Sequence, residues 1–152
     1  MRTSHLHTIY ELRAGRAKYL ALAIGGLIGL SPAQPASAQA THIVRLEVTP
    51  DQEIYRFVLA RITVRPGDVV RFKVSSGGPH NVAFDPEPLT AEGRGALNAA
   101  MPNRSGDLSG PVLDRPDAEY RIVVPALPPG HYGFFCTPHR AYDMRGELIV
   151  VR

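Results

Sequence analysis

The chain has 152 residues, of which 44% are hydrophobic and 20% are charged, and its net charge is +3. Residues 1–40 carry four of the 17 basic residues and one of the 14 acidic ones, which leaves residues 41–152 with 13 of each sign. This neutral part has no basic stripe with interleaved aromatic residues, so its composition argues against nucleic acid as a partner.

Residues 1–40 have the pattern of an export signal. A basic flank precedes an uncharged apolar run over residues 19–30, and small residues follow in the triplets Ala-Ser-Ala at 36–38 and Ala-Gln-Ala at 38–40. Twelve helical residues reach only about 18 Å, well short of a hydrocarbon core of about 30 Å. We therefore predict a leader over residues 1–40 and a mature domain over residues 41–152. The domain would be periplasmic in a bacterium, or secreted, with membrane anchoring as the alternative if the leader is not cleaved.

From residue 41 onward, short alternating segments are separated by Pro and Gly, which is typical of an all-β domain. The sequence Arg-Pro-Gly-Asp at 65–68 fits a type II turn, because Pro fixes φ at the second position and Gly accepts a positive φ at the third. Seven or eight short strands predict a two-sheet antiparallel β-sandwich. The strand-like segments cover residues 43–48, 53–59, 61–64, 68–74, 81–84, 120–124, 131–136 and 146–151.

Residues 85–118 interrupt this strand pattern. The part from Ala91 to Met101 is rich in Ala, Leu and Glu and predicts one or two helical turns, although Gly93 and Gly95 weaken the pattern. The segment is too short and too poor in apolar residues to build a core of its own. We therefore expect a long, partly helical connection inside one domain rather than a second domain.

Cys136 is the only cysteine of the chain, so no intrachain disulfide can form. An unpaired thiol in an oxidising compartment is open to oxidation unless burial or a metal occupies it. Cys136 is followed by His139 and Met144 in the pattern C-x2-H-x4-M. Strand parity places Cys136 on the same face as Tyr132 and Phe134, so the thiol should point inward.

His80 supplies a fourth donor, at the start of a strand and directly after a Gly-Gly-Pro turn. Two imidazoles, one thiolate and a weak thioether form a soft nitrogen and sulfur set, and a trigonal His2Cys site with a long axial Met is the blue-copper electron-transfer site. The sequence thus predicts one type 1 copper ion held by His80, Cys136, His139 and Met144. Met101 is the alternative axial ligand. Taken singly, each of these side chains would be read as an ordinary core or loop residue. The prediction of a metal site depends on the spacing of all four together.

The segment Gly-Pro-His-Asn-Val-Ala-Phe-Asp at 78–85, together with the C-x2-H-x4-M pattern at 136–144, resembles the plastocyanin, amicyanin and pseudoazurin group of cupredoxins. The strand, turn and strand over residues 62–72 are similar to those that precede the first histidine in that group. The resemblance covers most of residues 41–152 and omits roughly residues 85–118.

This resemblance implies a cupredoxin-like Greek-key β-sandwich with the copper near one end. It also implies a hydrogen bond from the backbone around Asn81 to the sulfur of Cys136, and an electron port at the ring edge of His139. This sequence differs from plastocyanin in the charged residues around that port, Arg140, Asp143 and Arg145, and in the long connection. Because of these differences, the resemblance does not identify the redox partner.

The expected function is that of an exported one-electron carrier that cycles between Cu(I) and Cu(II), and not that of an enzyme. Its expected partners are redox proteins such as a cytochrome or a membrane oxidoreductase, with no small-molecule substrate, and the protein is expected to be a monomer. A multicopper oxidase needs many paired histidines, whereas residues 41–152 contain four and no His-x-His pair: His42, His80, His131 and His139. His42 and His131 are expected at the surface.

Copper delivery or storage is the main alternative function. Delivery proteins favour open, Met-rich or His-rich sites that release the metal, and this sequence has no such tract. A metal-free interaction domain with the same sandwich is the remaining alternative.

Overall fold

The computed structural model describes residues 38–87 and 89–152, so most of the predicted leader lies outside the described residues. No helix in this described part is both long and apolar enough to cross a bilayer. Short 3-10 turns lie at Pro50–Gln52 and Arg140–Tyr142. The other elements, in chain order, are β1 (Thr41–Thr49), β2 (Ile54–Val58), β3 (Arg61–Val64), β4 (Val69–Val74), β5 (Ala83–Phe84), α1 (Ala91–Ala100), β6 (Glu119–Val123), β7 (Gly130–Phe135) and β8 (Arg145–Val150).

The strands form two four-stranded sheets, one in the order β2-β1-β4-β6 and the other in the order β3-β8-β7-β5. The predicted two-sheet sandwich is confirmed. The pairing inside each sheet is mixed rather than antiparallel throughout, because β1 pairs with β4 in parallel and β3 pairs with β8 in parallel. The first pair arises because β3 belongs to the other sheet, so that the chain leaves the first sheet after β2 and returns to it in β4, beside β1 and in the same direction. Such pairs cannot be read from alternation along a single strand.

The core lies between the two sheets and is centred on Phe134, which is 1% exposed. Phe57, Phe72 and Phe84 meet its ring edge to face, with centroids at 4.9, 5.3 and 6.0 Å. Burying a side chain of this size stabilises a fold by about 1.5–3 kcal/mol. The aromatic cluster therefore fixes β7, the strand that leads directly into Cys136.

The predicted helix in the connection is confirmed as α1. Thr90 caps it, because the Thr90 hydroxyl accepts a hydrogen bond from the N–H of Gly93 at 3.1 Å. Leu97 on this helix is fully buried, and Leu108 and Leu113 further along the connection are buried as well. The connection is therefore packed against the sandwich core and is not a free loop.

The predicted turn at residues 65–68 is also confirmed. Gly67 has φ of 94°, and the N–H of Asp68 donates to the carbonyl of Arg65 at 3.0 Å. The Asp68 carboxylate accepts hydrogen bonds from the backbone N–H groups of Ala40 and Arg65, at 2.9 and 2.8 Å. His42, expected at the surface, is instead half-buried with its Nε2 at 3.4 Å from the same carboxylate. Asp68 thus ties the start of β1 to the turn before β4.

We predict that Asp68→Ala lowers the free energy of unfolding by about 1–3 kcal/mol, because two backbone donors lose their partner in a buried position. Burial alone would raise the pKa of Asp68, but hydrogen bonds from Arg65, Ala40 and His42 outweigh it and hold the pKa below its ordinary value of 3.8. A depressed folded-state pKa contributes stability above the unfolded-state pKa, and this contribution is lost as the pH falls through the folded-state value. Urea unfolding at pH 7 and at pH 2 measures both effects.

The matched control is Asp114→Ala, since the Asp114 side chain is 74% exposed and should contribute little. A destabilisation by Asp68→Ala that is equally large at pH 7 and at pH 2 would contradict this role for the ionised carboxylate.

Candidate metal centre

Three nitrogen and sulfur donors from distant parts of the chain meet at one end of the sandwich. His80 precedes β5, Cys136 follows β7, and His139 precedes the 3-10 turn Arg140–Tyr142. The Sγ of Cys136 lies 3.8 Å from Nδ1 of His80 and 3.4 Å from Nδ1 of His139. The three donor atoms lie within 4.8 Å of one another, and all three residues are buried. Within residues 38–87 and 89–152, no other three His, Cys, Asp or Glu side chains bring their donor atoms this close.

These separations fit a single metal ion between the donors. A first-row metal such as zinc binds thiolate at about 2.3 Å and imidazole at about 2.0–2.1 Å, so bond angles of 109–120° require sulfur-to-nitrogen distances of roughly 3.5–3.8 Å. The observed 3.8 Å lies at the upper end of this range, and the observed 3.4 Å lies 0.1 Å below its lower end. Two imidazoles and one thiolate are also the donor set that suits copper. The residues therefore fit a copper ion both in spacing and in chemistry.

The ring of His80 is oriented by a backbone contact. Its Nε2 donates to the carbonyl of Ser76 at 3.0 Å, so the lone pair remains on Nδ1, which faces Cys136. Burial lowers the pKa of His80, and the hydrogen bond to Ser76 acts in the opposite direction. A side chain at Gly77, which has φ of 70°, would meet Val48 at 2.5 Å. The glycine in the predicted turn before His80 therefore allows β1 and the His80 ring to lie close together.

The thiol of Cys136 is fully buried. Burial raises its pKa, while hydrogen bonds from the backbones of Asn81 and His139 lower it. The contact from Asn81 agrees with the expectation drawn from the family resemblance. Because the thiolate is the form that binds a metal, a positive ion between the three donors would replace the proton of this thiol.

His139 lies at the edge of the cluster and is covered by aromatic rings. Tyr55 of β2 stacks on its ring, with centroids 3.8 Å apart and planes 14° apart, and Tyr142 meets it edge-on at 6.2 Å. His139 is only 7% exposed as a result. Burial lowers its pKa, and the nearby His80 lowers it further. Both shifts favour the neutral form of the imidazole, which is the form that binds a metal.

Met144 is fully buried directly before β8, and backbone hydrogen bonds join it to the other candidate residues. Its carbonyl accepts from the N–H of Cys136 at 3.0 Å, and its N–H donates to the carbonyl of His139 at 3.3 Å. The alternative, Met101, is buried directly after α1, in the connection. His131 is exposed, as predicted, and pairs with Glu147 at 3.1 Å.

The sequence reasoning missed two side chains that hold the cluster in place. Tyr55 is one, since no local pattern shows that a tyrosine in β2 will stack on a histidine 84 residues later. The other is the side chain of Asn81, whose Oδ1 accepts from the N–H of Thr137 at 2.7 Å and whose Nδ2 donates to the hydroxyls of Thr137 and Ser109, both at 3.2 Å. Its position directly after His80 was the available signal.

A two-sheet sandwich that buries two imidazoles and one thiolate at one end defines a cupredoxin. The chain belongs to the family of copper binding proteins described as the plastocyanin/azurin family, whose model matches residues 44–151. Copper is therefore its metal.

Relatives and a solved structure agree with this assignment. Plastocyanin from Synechococcus sp. (strain JA-2-3B'a(2-13)) is 33% identical over 86% of this chain and 88% of its own length. Chloroplastic plastocyanin from Chlamydomonas reinhardtii is 27% identical over 98% of this chain and 92% of its own. The oxidised form of plastocyanin from Dryopteris crassirhizoma superposes with a TM-score of 0.57 at 27% identity, covering 72% of this chain and all of that one.

We predict that Tyr55→Leu lowers the free energy of unfolding by about 0.5–1.5 kcal/mol beyond the effect of lost area, because it removes the stack on His139. The carbon-bound protons of the His139 ring should lose their upfield ring-current shift in NMR spectra. Tyr55→Phe keeps the ring and should preserve both the stability and the shift. Equal spectra for Tyr55→Leu and the unmodified protein would show that the two rings do not stack in solution.

Proposed function

We propose that this protein is an exported type 1 copper protein that carries single electrons between redox proteins, with His80, Cys136, His139 and Met144 as the copper ligands. The observation that carries the proposal is the buried convergence of Cys136 with both imidazoles, at the spacing that one ion requires. Copper, when bound there, supplies a one-electron couple between its +1 and +2 states.

The protein scaffold keeps the proposed ligand atoms at fixed positions. His80 precedes β5. Cys136 directly follows β7, and Met144 directly precedes β8, the neighbouring strand of the same sheet. Backbone hydrogen bonds join Met144 to Cys136 and His139. Donors fixed on a rigid scaffold reorganise little when the charge at the site changes, and a small reorganisation favours fast electron transfer. Burial also keeps water from the cluster, which prevents additional ligands from entering.

Met144 is proposed as the axial ligand. Its complete burial and its two backbone contacts to residues of the cluster support this role. A weak thioether at this position is typical of blue-copper sites and tunes their reduction potential. Met101 is the weaker candidate, because it lies after α1 and packs in the hydrophobic core.

The proposed electron path reaches the surface at His139. The exposed residues Pro138, Ala141 and Tyr142 adjoin this histidine, and Arg140 lies beside them. Tyr55 and Tyr142 cover the imidazole, so a partner would dock on an aromatic surface rather than on a bare ring edge. The expected partner is a redox protein such as a cytochrome or a membrane oxidoreductase.

The family consists of electron carriers rather than enzymes, and no catalytic residue is proposed. Copper delivery is the alternative function, but it requires donors that an acceptor protein can reach. The donors here are at most 7% exposed as whole residues, which disfavours rapid release. Residues 1–40 are proposed as the export leader and residues 41–152 as the copper domain, acting as a monomer in the periplasm or outside the cell.

We predict that the purified protein turns intensely blue with Cu(II), through thiolate-to-copper charge transfer, and that Cys136→Ser abolishes the colour. On mixing with a reduced c-type cytochrome in a stopped-flow instrument, the blue band should bleach in one-electron stoichiometry with cytochrome oxidation. Mass spectrometry should find the copper still on the protein after the reaction.

A blue Cys136→Ser protein would refute the ligand assignment. A protein that binds Cu(I), forms no blue Cu(II) state and passes its metal to an acceptor would instead establish copper delivery and refute electron carriage. Because Cys136→Ser changes a single buried atom, circular dichroism of the metal-free variant serves as the folding control.

We predict that Met144→Leu keeps the copper and the blue colour but raises the reduction potential, because losing the axial donor disfavours Cu(II) more than Cu(I). The rise should be on the order of 60 mV or more, the equivalent of a tenfold change in the one-electron equilibrium. Met101→Leu is the matched control and should leave the potential unchanged in cyclic voltammetry. A raised potential in Met101→Leu together with an unchanged potential in Met144→Leu would instead identify Met101 as the axial ligand.

A further inference from the structure

We propose that Arg140 positions His139, because its side chain reaches back over the ring of Phe135 and closes the turn between them. This turn, residues 136–139, is termed here the ligand turn. Phe135 directly precedes it and Arg140 directly follows it. The inference rests on the proposed function in one respect, namely that Cys136 and His139 bind copper. It assigns a role to a charged residue that the sequence pattern marked only as a difference from plastocyanin.

The contact between Arg140 and Phe135 is a cation–π interaction. The guanidinium carbon of Arg140 lies 4.3 Å from the centre of the Phe135 ring. A cation within about 6 Å of a ring centroid is attracted by the negative face of the ring. Phe135 is only 8% exposed and is the last residue of β7, where pairing with β5 and β8 holds its backbone on both sides. The ring is therefore a fixed platform for the guanidinium.

No carboxylate replaces this ring as the partner of Arg140. In the part of the chain that the structure describes, none of the ion pairs within 4.0 Å includes Arg140. Asp85 and Glu87 line the same surface groove as Arg140, but both lie beyond that distance from its guanidinium. The nearby Arg145, by contrast, pairs with Asp143 at 2.9 Å. The aromatic ring is thus the contact that orients the Arg140 side chain.

The backbone on either side of Arg140 transmits this restraint to His139. The N–H of His139 donates to the carbonyl of Cys136 at 3.2 Å, and the N–H of Arg140 donates to the carbonyl of Thr137 at 3.4 Å. The carbonyl of Arg140 in turn accepts from the N–H of Asp143 at 3.2 Å. Because these bonds are long, the ligand turn gains rigidity from a side-chain contact that joins its two ends.

His139 is then held from two sides. Tyr55, on the sheet β2-β1-β4-β6, stacks on its ring with centroids 3.8 Å apart. Arg140 anchors the backbone of the same histidine to Phe135, which belongs to the other sheet. The stack restrains the imidazole, and the cation–π contact restrains the chain that carries it. Arg140 is thus a positioning residue, which acts on His139 through the backbone and is not itself a ligand.

The contact itself is tested by NMR of the metal-free full chain. The Hδ and Hε protons of Arg140 should show an upfield ring-current shift, because they lie near the face of the Phe135 ring. Phe135→Leu should remove this shift, and Phe135→Tyr should preserve it. Asp85→Asn should leave it in place, and a loss of the shift in that variant would show that the carboxylate holds the guanidinium. Unshifted Arg140 protons in the unmodified protein would overturn the proposal.

The positioning role is tested by amide hydrogen exchange at Tyr142 and Met144, whose N–H groups both donate to the carbonyl of His139. Arg140→Met removes the charge, and exchange in the metal-free protein should accelerate about 2- to 5-fold, the change expected for one exposed cation–π contact. Dissociation of Cu(II) to a chelator should accelerate by a similar factor. Arg140→Lys keeps a cation and should retain the slow rates. Adding Arg140→Met to Phe135→Leu should cause no further acceleration.

Arg61→Met is the matched control, since Arg61 lies on the same sheet but pairs with Glu147 instead of a ring. It should leave exchange at both amides within about twofold of the unmodified rate. Equal acceleration in Arg61→Met would overturn the role of Arg140, and so would full additivity of its effect with that of Phe135→Leu. These spectra and exchange rates need no copper, so a protein that fails to turn blue would refute the proposed function without deciding the role of Arg140.

Discussion

The structure depends on one constraint, which is that the sulfur of Cys136 must be buried between two imidazoles without losing polar partners. The aromatic cluster around Phe134 fixes β7 and so fixes where Cys136 lies. The backbone groups of Asn81 and His139 lower the pKa of the buried thiol, against the effect of burial, and the carbonyl of Ser76 orients the ring of His80. The turn at Gly77 allows a close approach to Val48, and the ring of Tyr55 covers His139.

Both sheets contribute residues to the metal centre and its surroundings. The sheet with β3, β8, β7 and β5 carries Cys136 and Met144 at its strand ends, whereas the sheet with β2, β1, β4 and β6 supplies Tyr55 to His139 and Val48 beside the His80 turn. The metal centre is therefore built across the sandwich. A change that shifts one sheet against the other would alter the distances between donors, which links the stability of the core to the properties of the site.

The alternation of Val70, Phe72 and Val74, the turn at residues 65–68 and the helix in the connection could all be predicted, because each depends on neighbours in sequence. The three clustered donors could also be proposed, since a soft donor set with this spacing has few other uses. Three kinds of contact could not be predicted: the parallel strand pairs, the stack of Tyr55 on His139, and the hydrogen bond that Asn81 donates to Ser109. These contacts join residues 28 to 86 positions apart, and each partner alone has an ordinary local environment.

The most direct measurement is X-ray absorption at the copper edge of the loaded protein. The proposed four-ligand site predicts an inner shell of one sulfur at about 2.3 Å and two imidazole nitrogens at about 2.0 Å, by analogy with metal–thiolate and metal–imidazole bonds in proteins. The spectrum should keep the nitrogens and lose the short sulfur when Cys136 is replaced by serine. An inner shell of nitrogen and oxygen alone in the unmodified protein would contradict the site.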